Sequence, residues 1–141
     1  MATDQRVMSG TWGYLYVNGE KWYEIESAQA KYTKNKTDIH ICGEMVVGTK
    51  VTSVKGTGSI TAHKVRTLDA GQMDAILEGR DVRCTIIMGL NDPDAYGAER
   101  VALYDVSFDD ETMMDFSANQ PVKISYPFTF GRREWLDKVT R

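Results

Sequence analysis

Hydrophobic and polar residues alternate along several short segments of this chain, and the alternation predicts β-strands. The clearest turn signal is Asn18-Gly19, within the aromatic and β-branched stretch "TWGYLYVNGEKWYEI". Both central residues of a type I′ turn need positive φ, which Asn and Gly tolerate. We therefore expect a hairpin with strands over roughly 12–17 and 20–32.

Later segments repeat the alternation with different strictness. Ile39 and Ile41 alternate with polar residues, and further strands are expected over 59–63, 82–90 and 100–108. The strictest alternation falls at 122–130, where the apolar positions are Val122, Ile124, Tyr126, Phe128 and Phe130. Pro127 in this segment cannot donate a ladder hydrogen bond, which predicts a sheet edge or a bulge there.

Two segments depart from the strand pattern. Residues 44–58 contain "GTKVTSVKGTG", which has no sustained apolar face and predicts a long, mobile loop. Residues 68–79 predict one helix, with Asp69 as N-cap, Gln72 completing a capping box and Gly79 ending it. An apolar stripe at helical spacing supports this helix and consists of Met73, Ile76 and Leu77.

These elements predict a mainly β fold, either a β-sandwich or a partly closed barrel, with one flanking α-helix at about 68–79. The length of 141 residues fits one domain over 1–141. Residues 1–10 are expected to form a flexible N-terminal arm, and residues 131–141 a basic C-terminal tail.

Composition narrows the class of protein. Hydrophobic residues make up 42% and charged residues 26%, which is an ordinary globular balance. The net charge of −3 argues against a protein that holds nucleic acid by charge. The N-terminus lacks the apolar core of a signal peptide, and no apolar run reaches bilayer-spanning length, so synthesis in the cytoplasm without a membrane segment is expected. Cys42 and Cys84 are expected to be buried thiols.

Residues with catalytic or binding chemistry form no convincing motif. "GTGSIT" has two glycines but lacks the third glycine, the following helix and the lysine of phosphate-binding loops, so a flexible strand entry is the better interpretation. Four residues, His40, Cys42, His63 and Cys84, are enough in number to bind one zinc ion. Their spacing along the chain is wrong for a zinc knuckle. No catalytic residue, cofactor or metal is therefore expected.

The order of several segments resembles tail tube proteins of contractile-tailed phages and of related phage-tail-like particles, both defective prophages and bacteriocins, of Gram-positive bacteria. The resemblance covers roughly residues 9–130 and rests on "YVNGE", "KNKTDIHICG", "GTGSITAHKV", "ERVALYDVSFD" and "YPFTF". The C-terminal "REWLDKVTR" departs from the more acidic ends of that family.

The resemblance implies a structural, non-enzymatic subunit that forms stacked hexameric rings, with long hairpins contributing to an inter-subunit barrel. Segment 44–58 would then contact a neighbouring ring, through Gly48, Lys50, Thr52, Lys55, Gly56 and Gly58. A polar strand face would line the channel, through Ser59, Thr61, His63, Lys123, Ser125 and Thr129. We interpret Gly56 and Gly58 as a hinge at which the loop returns to a strand.

The implied partners are further copies of the chain, a contractile sheath protein, and tape-measure, baseplate and terminator proteins. DNA would pass through the lumen of a phage tube without specific binding, and the assembled tube would contain no membrane. The implied location is a virion or a phage-tail-like particle. The alternative functions are a small β-barrel module that binds an oligosaccharide or oligonucleotide, and a minor enzyme that uses Cys84 or His63.

Overall fold

One antiparallel strand pair in this fold is much longer than all the others. A computed structural model describes residues 3–68, 73–95 and 97–140. Two short 3-10 helices, Thr3–Arg6 and Gly10–Trp12, precede the first strand. The elements that follow are β1 (Gly13–Val17), β2 (Glu20–Lys21), β3 (Ile25–Ile39), β4 (Gly48–His63), α1 (Met73–Leu77), β5 (Cys84–Leu90), β6 (Glu99–Phe108), β7 (Lys123–Phe130) and β8 (Arg132–Asp137).

The first hairpin turns at Asn18-Gly19, as predicted. The φ angles of these two residues are 51° and 84°, and Val17 lies directly opposite Glu20. These angles confirm that the positive-φ tolerance of Asn and Gly decides the turn.

The strand expected over 20–32 is interrupted between Lys21 and Ile25. Trp22 and Glu24 are buried there, with 3% and 6% of their surface exposed. The Trp22 ring centroid lies 5.2 Å from that of Tyr126, so the chain turns into the core before it resumes as β3.

The eight strands form one open antiparallel sheet in the order β2-β1-β5-β6-β7-β4-β3, with β8 paired to β6. The two ends of this order, β2 and β3, are separated by only Trp22–Glu24 in the chain. The sheet therefore curls so that its ends approach each other, which agrees with the predicted partly closed barrel. Its interior is filled by buried side chains from β1, β4, β5, β6 and β7, among them Leu15, Ile60, Ile86, Leu103, Val106 and Phe128.

Strand β6 departs from the simple alternation of its sequence. Leu103 and Val106 both lie in the core, although strict alternation places them on opposite faces. Asp105 between them has φ of 57°, and the register against β5 shifts at this point. Asp105, in the left-handed region, therefore lies in a β-bulge. The bulge rotates the strand, so that Val106 faces the core as Leu103 does.

Pro127 lies where the pairing of β6 with β7 stops. That ladder contains only Ser107 opposite Thr129 and Phe108 opposite Phe128. On the other side of β7 the ladder with β4 continues past Pro127, which is opposite Ser59. The missing N–H of Pro127 therefore removes no hydrogen bond from the β4–β7 ladder. The predicted sheet edge exists only on the side of β7 that faces β6.

The predicted helix is present as α1, Met73–Leu77. Gly79 follows it with φ of 93°, which agrees with the expected helix end. Asp69 and Gln72, the proposed capping residues, lie outside the described residues. Within the described ranges, no helix has the length and hydropathy of a membrane span.

Both ends of the chain contact the sheet. Within the predicted C-terminal tail, residues 132–137 form β8 and pair with β6 from Tyr104 to Arg100. In the N-terminal segment the Ser9 amide donates to the buried carboxylate of Asp92, at 2.8 Å. The flexibility of residues 1–10 stays a prediction.

Candidate assembly surfaces

The hairpin of β3 and β4 extends well beyond the rest of the sheet. The two strands pair from Ile25 to Ile39, whereas β7 covers β4 only between Gly56 and His63. Every residue from 31 to 55 is exposed. We call residues 31–55 the ribbon, since they form two paired strands and a connecting turn to which no third strand of the described residues pairs.

The predicted mobile loop over 44–58 is wrong, because residues 48–58 belong to β4 and only residues 40–47 connect the strands. The segment is rich in β-branched residues, which favour extended backbone. Both faces of the ribbon are exposed, so its sequence needs no apolar side and shows none. Hydrophobic periodicity cannot reveal a strand that buries nothing in its own chain.

Four of the predicted ring-contact residues lie in the ribbon: Gly48, Lys50, Thr52 and Lys55. Thr52 is the extra residue of a bulge, since Asn35 lies opposite Ser53 and Lys36 opposite Val51. The Thr52 hydroxyl donates to the Asn35 carbonyl at 3.1 Å, and this bond holds the bulge. Bulges bend the strand that carries them, so Thr52 directs the outer part of the ribbon.

The other two, Gly56 and Gly58, lie in the part of β4 that is covered by β7. They face Phe130 and Phe128 directly across the ladder. A Cβ at Gly56 would lie 2.8 Å from the Phe130 ring, and one at Gly58 would lie 2.5 Å from the Phe128 ring. The hinge interpretation is therefore wrong: glycine is needed because aromatic rings cover the strand at these positions.

The end of the ribbon carries an apolar cluster that is not among the contact residues predicted from the sequence. Met45 is 96% exposed and Val46 is 84% exposed. Three further side chains complete this tip cluster: Ile39, Ile41 and Val47. The only sequence signal was a short apolar drift in "ICGEMVV". Exposed apolar patches rimmed by polar residues mark interaction sites, so the tip is a candidate contact surface.

The six predicted channel residues share one face of the β4–β7 pair. Thr61 lies opposite Ser125, and His63 opposite Lys123. The remaining two, Ser59 and Thr129, have the same parity along their strands, while the intervening positions such as Ile60 and Phe128 are buried. The structure thus brings these residues together as one polar face, and its position in a channel stays a prediction.

This polar face carries few charges. The Lys123 ammonium donates to the Glu26 carboxylate at 3.1 Å, so the two charges largely cancel. The remaining predicted members are hydroxyl residues and His63. A hydroxyl-rich face of low net charge would attract phosphate groups only weakly, since that attraction depends on clustered cations.

The residues weighed for metal or nucleophilic chemistry lie apart. His40 and Cys42 are exposed in the connecting turn, so the expected burial of Cys42 is wrong. Cys84 is buried in the core, whereas His63 lies on the polar face. Burial raises the pKa of the Cys84 thiol, only partly opposed by a hydrogen bond with Asn18. A raised pKa disfavours the reactive thiolate, so this geometry does not suit a nucleophile.

A buried carboxylate fastens the turn between β2 and β3. Only 1% of the Glu24 side chain is exposed, and its Oε1 accepts from Arg66 Nε at 3.2 Å. Arg66 also donates to Glu20 at 2.8 Å and to the Lys21 carbonyl at 2.9 Å. This cluster ties the joined ends of the sheet to the connection after β4, and no sequence pattern pointed to it.

A cleft of about 580 Å³ opens between the start of β3 and the strands β1, β5, β6 and β8. Its lining includes Tyr14, Ile25, Met88, Val101 and Trp135. The lining of this cleft is mainly apolar.

Comparison with known proteins agrees with this architecture. The profile of the family described as phage tail tube protein matches residues 1–137. Phage-like element PBSX protein XkdM of Bacillus subtilis (strain 168) is 34% identical over 139 residues, covering 96% of this chain and 95% of the relative. Protein YqbM of the same strain is also 34% identical, over 129 residues, covering 89% and 88%.

Solved structures with the same fold come from contractile particles. A chain in the cryo-EM structure of the anti-feeding prophage cap, the tube-terminating cap, matches with a TM-score of 0.74 at 10% identity and covers 98% of this chain and 95% of that one. A chain in the sheath-tube complex of PVC, an extracellular contractile injection system, matches with a TM-score of 0.69 at 10% identity, covering 96% and 97%. The family profile matches almost the whole chain and the Bacillus relatives are 34% identical to it, so the chain belongs to the phage tail tube protein family.

Proposed function

We propose that this chain is the structural subunit of a tail tube, in which copies form stacked hexameric rings around a hollow conduit inside a contractile sheath. The ribbon is the strongest support for this proposal. It exposes backbone edges and an apolar tip that the described part of its own chain leaves open to solvent, and exposed edges invite pairing with another chain.

The remaining surfaces suit the same role. In a ring, the β4–β7 polar face would line the lumen, and strands from neighbouring copies would complete an inner barrel without free edges. DNA would pass along this face without specific binding if the particle is a phage. The low charge of the face supports a conduit.

The partners proposed are sheath, tape-measure, baseplate and terminator proteins. Solved structures with the same fold come from a sheath-tube complex, a sheath/tube terminator and a baseplate, which supports assembly with such proteins. The subunit would be made in the bacterial cytoplasm and end in a virion or a phage-tail-like particle.

Negative-stain electron microscopy and sedimentation velocity of the purified chain test this proposal. We expect hollow tubes or stacked six-membered rings. A control variant replaces residues 36–52 by an Asn-Gly turn between the opposed residues Asn35 and Ser53, which shortens the ribbon and leaves the barrel intact. This variant should keep the far-ultraviolet circular dichroism of a folded β protein and lose the tubes.

Two results would contradict the proposal. The first is a wild-type chain that stays monomeric at high concentration under all conditions. The second is a shortened variant that still forms normal tubes. Binding of an oligosaccharide in the cleft by a permanent monomer would instead favour the small barrel module.

A further inference from the structure

Two surfaces of this chain carry exposed apolar side chains, have opposite net charge and lie at opposite ends of the subunit. We propose that the ribbon of one copy docks on residues 109–120 of a second copy, which we call the acidic loop. This inference rests on the proposed self-assembly and specifies which surfaces meet.

The ribbon is basic although the chain as a whole is acidic. The ribbon contains five lysines and two carboxylates, which gives it a net charge of +3. The rest of the chain therefore carries a net charge of −6, because the whole chain has −3. The lysines are Lys31, Lys34, Lys36, Lys50 and Lys55. Across the described ranges, none of these lysines forms an ion pair, so their charges are available to a partner.

The acidic loop has the opposite charge and its own apolar cluster. It contains four carboxylates and no basic residue, a net charge of −4: Asp109, Asp110, Glu111 and Asp115. Three large apolar side chains stand among them, with Met113 77%, Met114 67% and Phe116 73% exposed. Methionines adapt to irregular surfaces, which suits contact with the Met45 and Val46 tip.

The strand register places these surfaces at opposite ends of the subunit. β4 runs from the tip at Gly48 to His63, which lies opposite Lys123. The acidic loop begins after Phe108 and returns just before Lys123, so it lies at the His63 end. Gly48 and His63 are separated by about 50 Å at the usual rise per strand residue.

This separation keeps the two surfaces of one chain from meeting each other. A contact between two different patches on identical copies is heterologous, and its repetition builds rings or open stacks. Asp38 and Glu44 lie at the outer end of the ribbon, so its attraction to the acidic loop comes from the lysines along its two strands. Complementary charge would set the direction of stacking, since loop-to-loop encounters bring like charges together. A nucleic acid would match the lysines but not the apolar tip, so a second copy is the better partner.

Charge reversal in two separate variants tests the contact. The ribbon variant carries Lys34→Glu, Lys36→Glu and Lys50→Glu. The loop variant carries Asp110→Lys, Glu111→Lys and Asp115→Lys. Each variant alone should need a concentration about tenfold or more above that of the wild type to polymerise, because like charges then face each other.

Restoration of the charge match is the decisive measurement. A chain that carries both sets of reversals should polymerise again near the wild-type concentration, and an equimolar mixture of the two single-set variants should co-polymerise. A matched control reverses three exposed carboxylates elsewhere, Asp74→Lys, Glu78→Lys and Asp81→Lys, and should assemble like the wild type.

The outcomes separate this inference from the proposed function. If the wild type forms tubes but the doubly reversed chain, folded by circular dichroism, does not, the docking pair is wrong and the tube function stands. If the wild type forms no polymer, both proposals fail. If the ribbon variant forms normal tubes and only loses retention of a duplex DNA oligonucleotide in a gel shift, the ribbon is a nucleic-acid surface and the docking pair is again wrong.

Discussion

Gly58 provides the sharpest test of the packing between β4 and β7. A Cβ at this position would meet the Gln29 carbonyl of β3 and lie 2.5 Å from the Phe128 ring. Phe128 is only 1% exposed, and a backbone carbonyl in a paired strand cannot rotate away, so neither neighbour can yield easily. We expect Gly58→Ala to lower the free energy of unfolding by about 1–3 kcal/mol, the usual range for overpacking.

Gly48 offers a matched control on the same strand, because nothing lies within 4 Å of its added Cβ. Gly48→Ala should leave stability unchanged or raise it by about 0.4–1 kcal/mol, since alanine restricts the unfolded chain. Urea unfolding, followed by tryptophan fluorescence in samples that sediment as monomers, measures both effects. At about 3 °C per kcal/mol, the Gly58 variant should melt about 3–9 °C below the wild type. A Gly58→Ala midpoint equal to that of the wild type would refute the predicted steric conflict.

Three further experiments give independent tests. Glu24→Gln removes a buried charge from Arg66 and should destabilise the monomer by about 1–3 kcal/mol in urea unfolding; an unchanged midpoint would argue against the ion pair. Ellman's reagent should titrate one thiol in the native monomer, the exposed Cys42, and two in denaturant; rapid native reaction of Cys84 would contradict its burial. Gly19→Ala places a side chain at φ of 84° and should cost about 1 kcal/mol, whereas Gly10→Ala, which meets no strain and no atom within 4 Å, should not.

Turns, the helix end and the faces of strands could be predicted where backbone conformation or burial within one chain restricts the residue type. The Asn18-Gly19 turn follows from the positive φ of its type, and Gly79 from the helix end. The six polar-face residues could be grouped because their strands bury the alternate residues. In each case a short stretch of sequence carries the whole constraint.

The ribbon and the ends of the chain could not be predicted in this way. Segment 48–55 pairs with β3 but buries no side chain in its own chain, so its sequence carries no apolar face. Segment 132–137 becomes a strand because β6 offers a free edge beside it. The Glu24–Arg66 pair joins residues 42 positions apart, which no local pattern can connect.

By itself, then, the sequence determined the strands that face the core, the turns that need positive φ, and the polar face of β4 and β7. The tertiary structure decided that the glycine-rich segment is a paired ribbon, that Gly56 and Gly58 lie beneath phenylalanine rings, and that ribbon and acidic loop lie at opposite ends. The physical reason is that a hydrophobic pattern records burial within one chain. It does not record which strand edges meet, nor surfaces whose burial requires a second copy.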